Sequence, residues 1–237
     1  MGRHSGWAAG WLLLAGAVCA WGQRALTFSV VGGTAVTDTL NTYQSSGRFG
    51  GAAAQSATRR LVLGANISVR LNAHFAVDLG VLHRRFGYDY QTYGPFPVPI
   101  QFTTFQGTGA SWEMPLRAKW YVFGGRQASP YVALGGTYRW LADWTETQSL
   151  YNNFNLTTPI LITRSSDNPP VLLQSRNAIA PTAAAGVEFR SRHIRVWPEV
   201  RYTRWVSDTL GSFGAPLRWN WQQVDFVLGI GWGVGRR

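Results

Sequence analysis

The sequence predicts an all-β fold: an eight-stranded antiparallel up-and-down transmembrane β-barrel with short periplasmic turns and long extracellular loops. Three observations predict it. Apolar side chains recur at every second position in eight segments, the links between those segments alternate between short and long, and the composition is poor in charge.

Composition sets the frame. Of 237 residues only 14% are charged, 14% are aromatic, 12 are Trp and 27 are Gly. Soluble domains carry roughly 25% charge. Mean hydropathy is −0.08, which no bundle of apolar helices would show. After the N-terminus no run approaches the ~18–20 apolar residues of a membrane-spanning helix. A membrane chain without such runs must close its strands on themselves, because hydrocarbon cannot satisfy free backbone amides.

The chain opens on a pattern expected of a secretory signal. Arg3 and His4 form a polar start, Trp7 to Val18 an apolar stretch, and Val18-Cys19-Ala20 a small-residue exit. Cleavage after Ala20 or Gly22 fits, so residues 1–22 are expected to be a signal peptide and 23–237 the barrel. Val18 before Cys19 is a poor match to lipoprotein processing. Removal of the signal would remove the single cysteine, and with it any disulfide, thiolate metal site or cysteine nucleophile.

The strands follow in order. Strand one, Ala25 to Gly33, sets Leu26, Phe28 and Val30 against Thr27 and Ser29. The second sets Leu61, Leu63, Ala65, Ile67, Val69 and Leu71 against Asn66, Ser68 and Arg70. The third sets Phe75, Val77, Leu79 and Val81 against Asp78 and Gly80, and the fourth Trp112, Met114, Leu116, Ala118, Trp120 and Val122 against Glu113, Arg117, Lys119 and Tyr121. In the fifth, Val132, Leu134, Tyr138 and Trp140 oppose Ala133, Gly135, Thr137 and Arg139. In the sixth, Ala183, Ala185, Val187 and Phe189 oppose Thr182, Gly186 and Glu188. The seventh sets Ile194, Val196, Val200 and Tyr202 against Arg195, Glu199 and Arg201. The eighth is cleanest, with Val224, Phe226, Leu228, Ile230, Trp232 and Val234 against Asp225, Val227 and three glycines. Each segment approaches the ~9–11 residues that a tilted strand needs to cross hydrocarbon.

The links carry the strongest signal. Asn72–His74, Phe123–Ser129 and Ser191–His193 are short, whereas Thr34–Arg60, Gln91–Ala110, Thr145–Arg176 and Val206–Gln223 are long, in strict alternation. A transmembrane barrel has tight turns at one end and long loops at the other; a soluble meander has no reason to.

An eight-stranded interior is barely wide enough for its own side chains, so charges placed there must pair. The inward positions hold Arg70, Asp78, Glu113, Arg117, Lys119, Arg139, Glu188, Arg195, Glu199, Arg201 and Asp225, expected to form an ion-pair network with Glu113, Glu188 and Glu199 against Arg117, Arg139 and Arg201. Width argues against an open pore. Aromatic belts at headgroup level are expected from Tyr138, Trp140, Trp144, Trp205, Trp219 and Trp221 at the loop end, and from Phe75, Trp120, Phe123, Tyr131 and Trp232 at the turn end.

Catalysis has little support. His83 alone stands where a lipid-modifying site could form, and it needs a serine nucleophile and a carboxylate, which its neighbours Arg84 and Arg85 do not supply and only loop residues such as Ser111 or Asp89 could; an interfacial histidine is the expectation. No His or Cys spacing implies a metal, and no cofactor is expected. The net charge of +11 rests almost wholly on arginine, Lys119 being the single lysine. Without a basic run, and with an export signal, anionic lipid is a better partner than nucleic acid. Loop arginines Arg48, Arg59, Arg60, Arg85, Arg164, Arg176 and Arg218 are candidate contacts to lipopolysaccharide phosphates.

The signal, the eight alternating segments and the closing Val224-Asp225-Phe226-Val227-Leu228-Gly229-Ile230-Gly231-Trp232 resemble the small OmpA/OmpX-type outer-membrane β-barrel domain family. The resemblance covers the mature chain and is architectural. It implies a cell-outer-membrane location and insertion by the outer-membrane assembly machinery, which reads an alternating last strand that typically ends on an aromatic residue. Here Gly233-Val234-Gly235-Arg236-Arg237 follow Trp232, a departure from that ending. A monomer with a structural or surface-interaction role is the expectation. The alternatives are a narrow, porin-like channel for small solutes and a lipid-modifying enzyme using His83.

Overall fold

The computed structural model describes residues 26–47, 50–56, 60–93, 101–124, 126–152, 160–167, 173, 175–206 and 218–234. The expected signal peptide lies outside the described residues. In chain order the strands are β1 (Leu26–Ala35), β2 (Leu40–Asn41), β3 (Tyr43–Gly47), β4 (Gly50–Ser56), β5 (Leu61–Arg70), β6 (Phe75–Tyr93) and β7 (Gln101–Tyr121). There follow β8 (Ala128–Asn152), β9 (Ile160–Asp167), β10 (Asn177–Ser191), β11 (Ile194–Arg204), β12 (Arg218–Trp219) and β13 (Gln222–Val234). These thirteen described strands exceed the eight that alternation predicts.

Eight of them form a cycle in which each has an antiparallel neighbour on either side. The pairings run β1–β5–β6–β7–β8–β10–β11–β13, and β13 pairs again with β1. Leu26 of β1 stands opposite Val69 on one side and Val234 on the other. One face of this series is apolar and exposed: Val30, Leu61, Leu134, Ile179 and Ile230 are each more than half exposed. The other face is polar and buried, with Asn66, Asp78, Lys119, Glu199 and Asp225 all enclosed. A water-soluble sheet buries its apolar face; this one does the reverse.

Close packing on the inner face needs glycine where a bulky neighbour lies flat on the backbone. At Gly229 a Cβ would sit 2.1 Å from Cε2 of Trp197, so the indole occupies the space a side chain would take. The short links behave as turns. Asn72 Oδ1 accepts hydrogen bonds from the amides of His74 and Phe75, both 2.8 Å. Arg192 turns β10 into β11 with φ of 27°, a conformation costly for a side chain with Cβ.

The long links depart from expectation, for much of their length is strand. β6, β7 and β8 continue to 19, 21 and 25 residues. The β3–β4 hairpin pairs with β6, and β9 pairs with β8, giving a six-stranded extension in the order β3-β4-β6-β7-β8-β9. A separate two-stranded ladder joins β2 to β12. Along β6 the polarity inverts. Phe75, Leu79 and Val81 point outward opposite buried Asp78 and Arg84; farther on, Arg85 and Asp89 point outward opposite buried Phe86, Tyr88 and Tyr90. The first stretch presents apolar side chains on its exposed face, the second charged ones.

Phe86, Tyr88, Tyr90, Leu141, Trp144 and Trp219 form a core of this extension, with Leu40 and Ala54. Hence Trp144 and Trp219, expected in a headgroup belt, are buried, as are Trp205 and Tyr131. Tyr138, Trp140 and Trp221 at one end, and Phe75, Trp120, Phe123 and Trp232 at the other, are exposed. A bulge explains the error in β8. Register slips between Thr108 and Ala110 of β7, and opposite it Asp143 has φ of 49°. Beyond it the buried positions change from Arg139 and Leu141 to Trp144 and Glu146, the other parity.

Candidate functional site: the charged interior

The inward face gathers its charges into three groups, ordered here from the extension towards the short turns. In the first, Arg84 of β6 reaches Asp225 of β13, Nη2 to Oδ1 at 2.7 Å, and approaches Glu113 Oε1 with Nε at 3.4 Å. Arg139 donates to Glu113 Oε1 at 2.9 Å and to Gln223 Oε1 at 2.6 Å. Gln223 Nε2 returns bonds to Asp225 at 2.8 Å and Glu113 at 3.3 Å. The Arg139 guanidinium lies 3.5 Å from the centroid of Trp205, a stacking that shields the cation without needing another carboxylate.

The middle group joins β6, β7, β8 and β11. Arg117 Nη1 lies 2.6 Å from Glu199 Oε1, which also takes Arg201 Nη2 at 2.8 Å. Tyr131 donates its hydroxyl to Glu199 Oε2 at 2.9 Å. Lys119 Nζ is 2.7 Å from Asp78 Oδ2, with Arg117 Nη2 at 3.5 Å from the same oxygen. Lys119 also lies over the rings of Tyr131 and Trp197, 4.6 and 5.1 Å from their centroids.

Nearest the turns, Glu188 of β10 faces three arginines. Arg190 Nε lies at 2.6 Å, Arg195 Nη1 at 3.7 Å and Arg70 Nη1 at 3.9 Å from the same Oε1. Tyr121 donates to Oε2. Arg84–Asp225 and Arg117–Glu199 join strands that are not neighbours, so these side chains reach across the interior.

The eleven charged residues assigned to inward positions each make one of these contacts. Specific partners differ from the expectation. Glu188 pairs with Arg190, Arg195 and Arg70 rather than with Arg117, Arg139 or Arg201. Arg84, Gln223 and Arg190 were not anticipated. Arg84 could have been found: it has the parity of Asp78, six residues on, and β6 simply continues past Val81.

The arginines expected in loops scatter. Arg48 and Arg59 lie outside the described residues. Arg60 is exposed and 3.7 Å from Asp38. Arg85, Arg164 and Arg218 lie on strands β6, β9 and β12 rather than in loops, and Arg176 just precedes β10; all four are exposed. Arg164 Nε donates to Ser149 Oγ at 3.3 Å.

The constellation considered around His83 does not assemble. His83 packs its ring 4.8 Å from Trp112, on the outward parity, while Ser111 is buried on the inward face opposite Arg84. Asp89 lies six residues farther along β6. In the extension, Glu146 is buried and accepts the Tyr88 hydroxyl. Burial pushes its carboxyl above the ordinary 4.5 and nearby Asp167 adds to this, against the Tyr88 bond. Burial likewise raises Tyr88 and Tyr90. Among the described residues no group of three or more His, Cys, Asp or Glu is placed to hold a metal, and no helix is long and apolar enough to cross a membrane.

No protein-family model matches the chain, and no curated protein matches it. Among solved structures, the outer membrane protein OprG from Pseudomonas aeruginosa matches with a TM-score of 0.50 at 12% identity, over 90% of this chain and 97% of that one. The N-terminal β-barrel domain of Pseudomonas aeruginosa OprF matches at 0.39 and 11% identity, over 90% and 100%. Ail, the attachment invasion locus protein of Yersinia pestis, matches at 0.39 and 11%, over 90% and 99%. The likeness to OprG is one of fold: this is an all-β chain resembling known transmembrane barrels.

Proposed function

We propose that the chain is an eight-stranded up-and-down transmembrane β-barrel of the cell outer membrane, with a structural or surface-interaction role. The observation that carries this reading is the inverted polarity of the strand series: charge inside, exposed apolar side chains outside. The cycle of antiparallel pairings supports closure. Residues 1–22 act as the cleaved signal peptide and 23–237 form the barrel, inserted as a monomer by the outer-membrane assembly machinery. The short links face the periplasm, and the strand extension with its connections faces outward. Kinship is with the small OmpA/OmpX-type barrels.

On that orientation Arg60, Arg85, Arg176 and Arg218 stand exposed near the level where the apolar wall ends, placed to meet lipopolysaccharide phosphates. Arg48, Arg59 and Arg164 are proposed to add to that contact.

Refolding into detergent micelles tests the fold reading. A β-rich circular dichroism spectrum and a gel mobility that shifts only after boiling are expected; free solubility without detergent would defeat it. For the surface role, combined Arg→Gln changes at positions 60, 85, 176 and 218 are expected to reduce co-purifying lipopolysaccharide. Unchanged co-purification counts against these contacts.

A further inference from the structure

The interior charges are not balanced along their length. Arg84 and Arg139 face Glu113 and Asp225, an even match. In the middle group Arg117, Lys119 and Arg201 face Asp78 and Glu199, one cation in excess. At the short-turn mouth Arg70, Arg190 and Arg195 face Glu188 alone, two in excess. The imbalance grows towards the mouth, and so does access to water. Side-chain exposure is 12%, 17% and 15% for Arg70, Arg190 and Arg195, against 5% or less for the deeper cations.

The mouth is also preorganised. Arg70 is anchored by its Nε and Nη2 to the carbonyls of Asn72 and Ala73, at 3.1 and 2.8 Å. Its guanidinium lies 4.3 Å from the centroid of Tyr121, and that of Arg190 lies 5.0 Å from the same ring. Three cations converge on one carboxylate oxygen while Glu188 Oε2 is taken by Tyr121. Arg190 Nη2 is buried and has no hydrogen-bond partner. A buried guanidinium nitrogen without an acceptor is costly, and like charges held together favour an anion that relieves them.

We propose that this mouth is a binding site for a phosphate-type dianion, held by Arg70, Arg190 and Arg195. Guanidinium forks match phosphate oxygens in pairs, and two negative charges match the local excess. Glu188 sets the affinity by competing for the same cations. The site goes beyond the surface role proposed above; that reading decides only which side of the membrane the mouth faces, and binding in micelles does not depend on it.

The test is calorimetric titration of inorganic phosphate into the refolded full chain in a lipid-free, uncharged detergent at low ionic strength. Saturable binding that weakens with added salt is expected. Arg70→Gln, Arg190→Gln and Arg195→Gln should each weaken it about tenfold, the loss of one charge-assisted hydrogen bond. Arg204→Gln, exposed at the opposite end of β11 from Arg195, should leave it unchanged. Glu188→Gln should tighten binding, which a merely structural role for the cluster would not do. A boiling-dependent gel shift verifies that each variant is folded. Bicelles doped with phosphatidylglycerol distinguish the source: competition with free phosphate identifies a soluble ligand, and binding of the doped bicelles alone identifies a headgroup at the same arginines. Absence of binding by both probes, equal affinity in the arginine variants, or weaker binding by Glu188→Gln overturns the proposal.

Discussion

Arg84 is the cation on which the group nearest the extension depends, and Arg84→Met is its sharpest test. The side chain is 1% exposed and holds Asp225 at 2.7 Å and Glu113 at 3.4 Å. After the change Glu113 keeps Arg139 at 2.9 Å, but Asp225 keeps only the neutral Gln223 amide at 2.8 Å. A carboxylate is then enclosed with no cation. Breaking a buried pair from one side costs about 3–5 kcal/mol, and that range is expected here, read from urea titration of the refolded protein in micelles. The double variant Arg84→Met with Asp225→Leu removes both charges and should recover most of the loss, to within about 1 kcal/mol of the starting protein. A single variant that loses under about 1 kcal/mol, or a double variant less stable than the single, would refute the argument that an orphaned charge carries the cost.

Three further outcomes are expected. Gly229→Leu forces a side chain into the space of the Trp197 indole and should destabilise by about 1–3 kcal/mol in the same titration. Glu146→Gln tests the sign of a raised carboxyl. A group raised in the fold contributes stability that is complete below its unfolded value and lost as pH rises through the folded value, so the variant should protect strand amides of 145–152 from exchange more than the parent does above that value, and equally at pH about 4. Brominated lipid chains should quench Trp120 and Trp232 on the outer wall and spare Trp197 and Trp205, so the quenchable fluorescence falls in Trp120→Phe and is unchanged in Trp197→Phe.

What the sequence disclosed of the strands and what it hid of them have one physical cause. In the lower half of each strand a single alternation, apolar outside and polar inside, continues without interruption, so Leu61–Arg70 and Gln222–Val234 can be read directly. The charged positions follow from the same parity. Above that half the code is written in the opposite sense. At Phe86, Tyr88 and Tyr90 the aromatic residues point inward while Arg85 and Asp89 face outward, and an observer seeking an apolar outer stripe sees the pattern stop. At Asp143 the bulge shifts parity as well, so the strand continuing through Glu146 reads as a loop. The pairing of Glu188 with Arg190, Arg195 and Arg70 was illegible for a different reason. Parity tells which way a side chain points, whereas distance across an interior depends on tilt and stagger that no single strand records.

The inversion also explains why aromatics and charges share one inner face. On the proposed membrane reading, hydrocarbon surrounds the lower strands and water the extension; in hydrocarbon the outer wall takes the apolar residues and the interior is left to ions, which stabilise one another only in pairs. Where water surrounds the extension, the outer wall is already solvated and the inner face can bury Phe86, Trp144 and Trp219, whose centroids lie 5.2, 5.3 and 6.0 Å apart. Arg139 stands at the junction of the two regimes. It pairs with Glu113 on one side and stacks on Trp205 on the other, with Trp219 at 5.3 Å, so one side chain closes the ionic interior against the aromatic core above it. On the proposed membrane reading, the height of that junction along β6, between Val81 and Phe86, marks where the surround changes from lipid to water, and it is fixed by both faces of the strand at once.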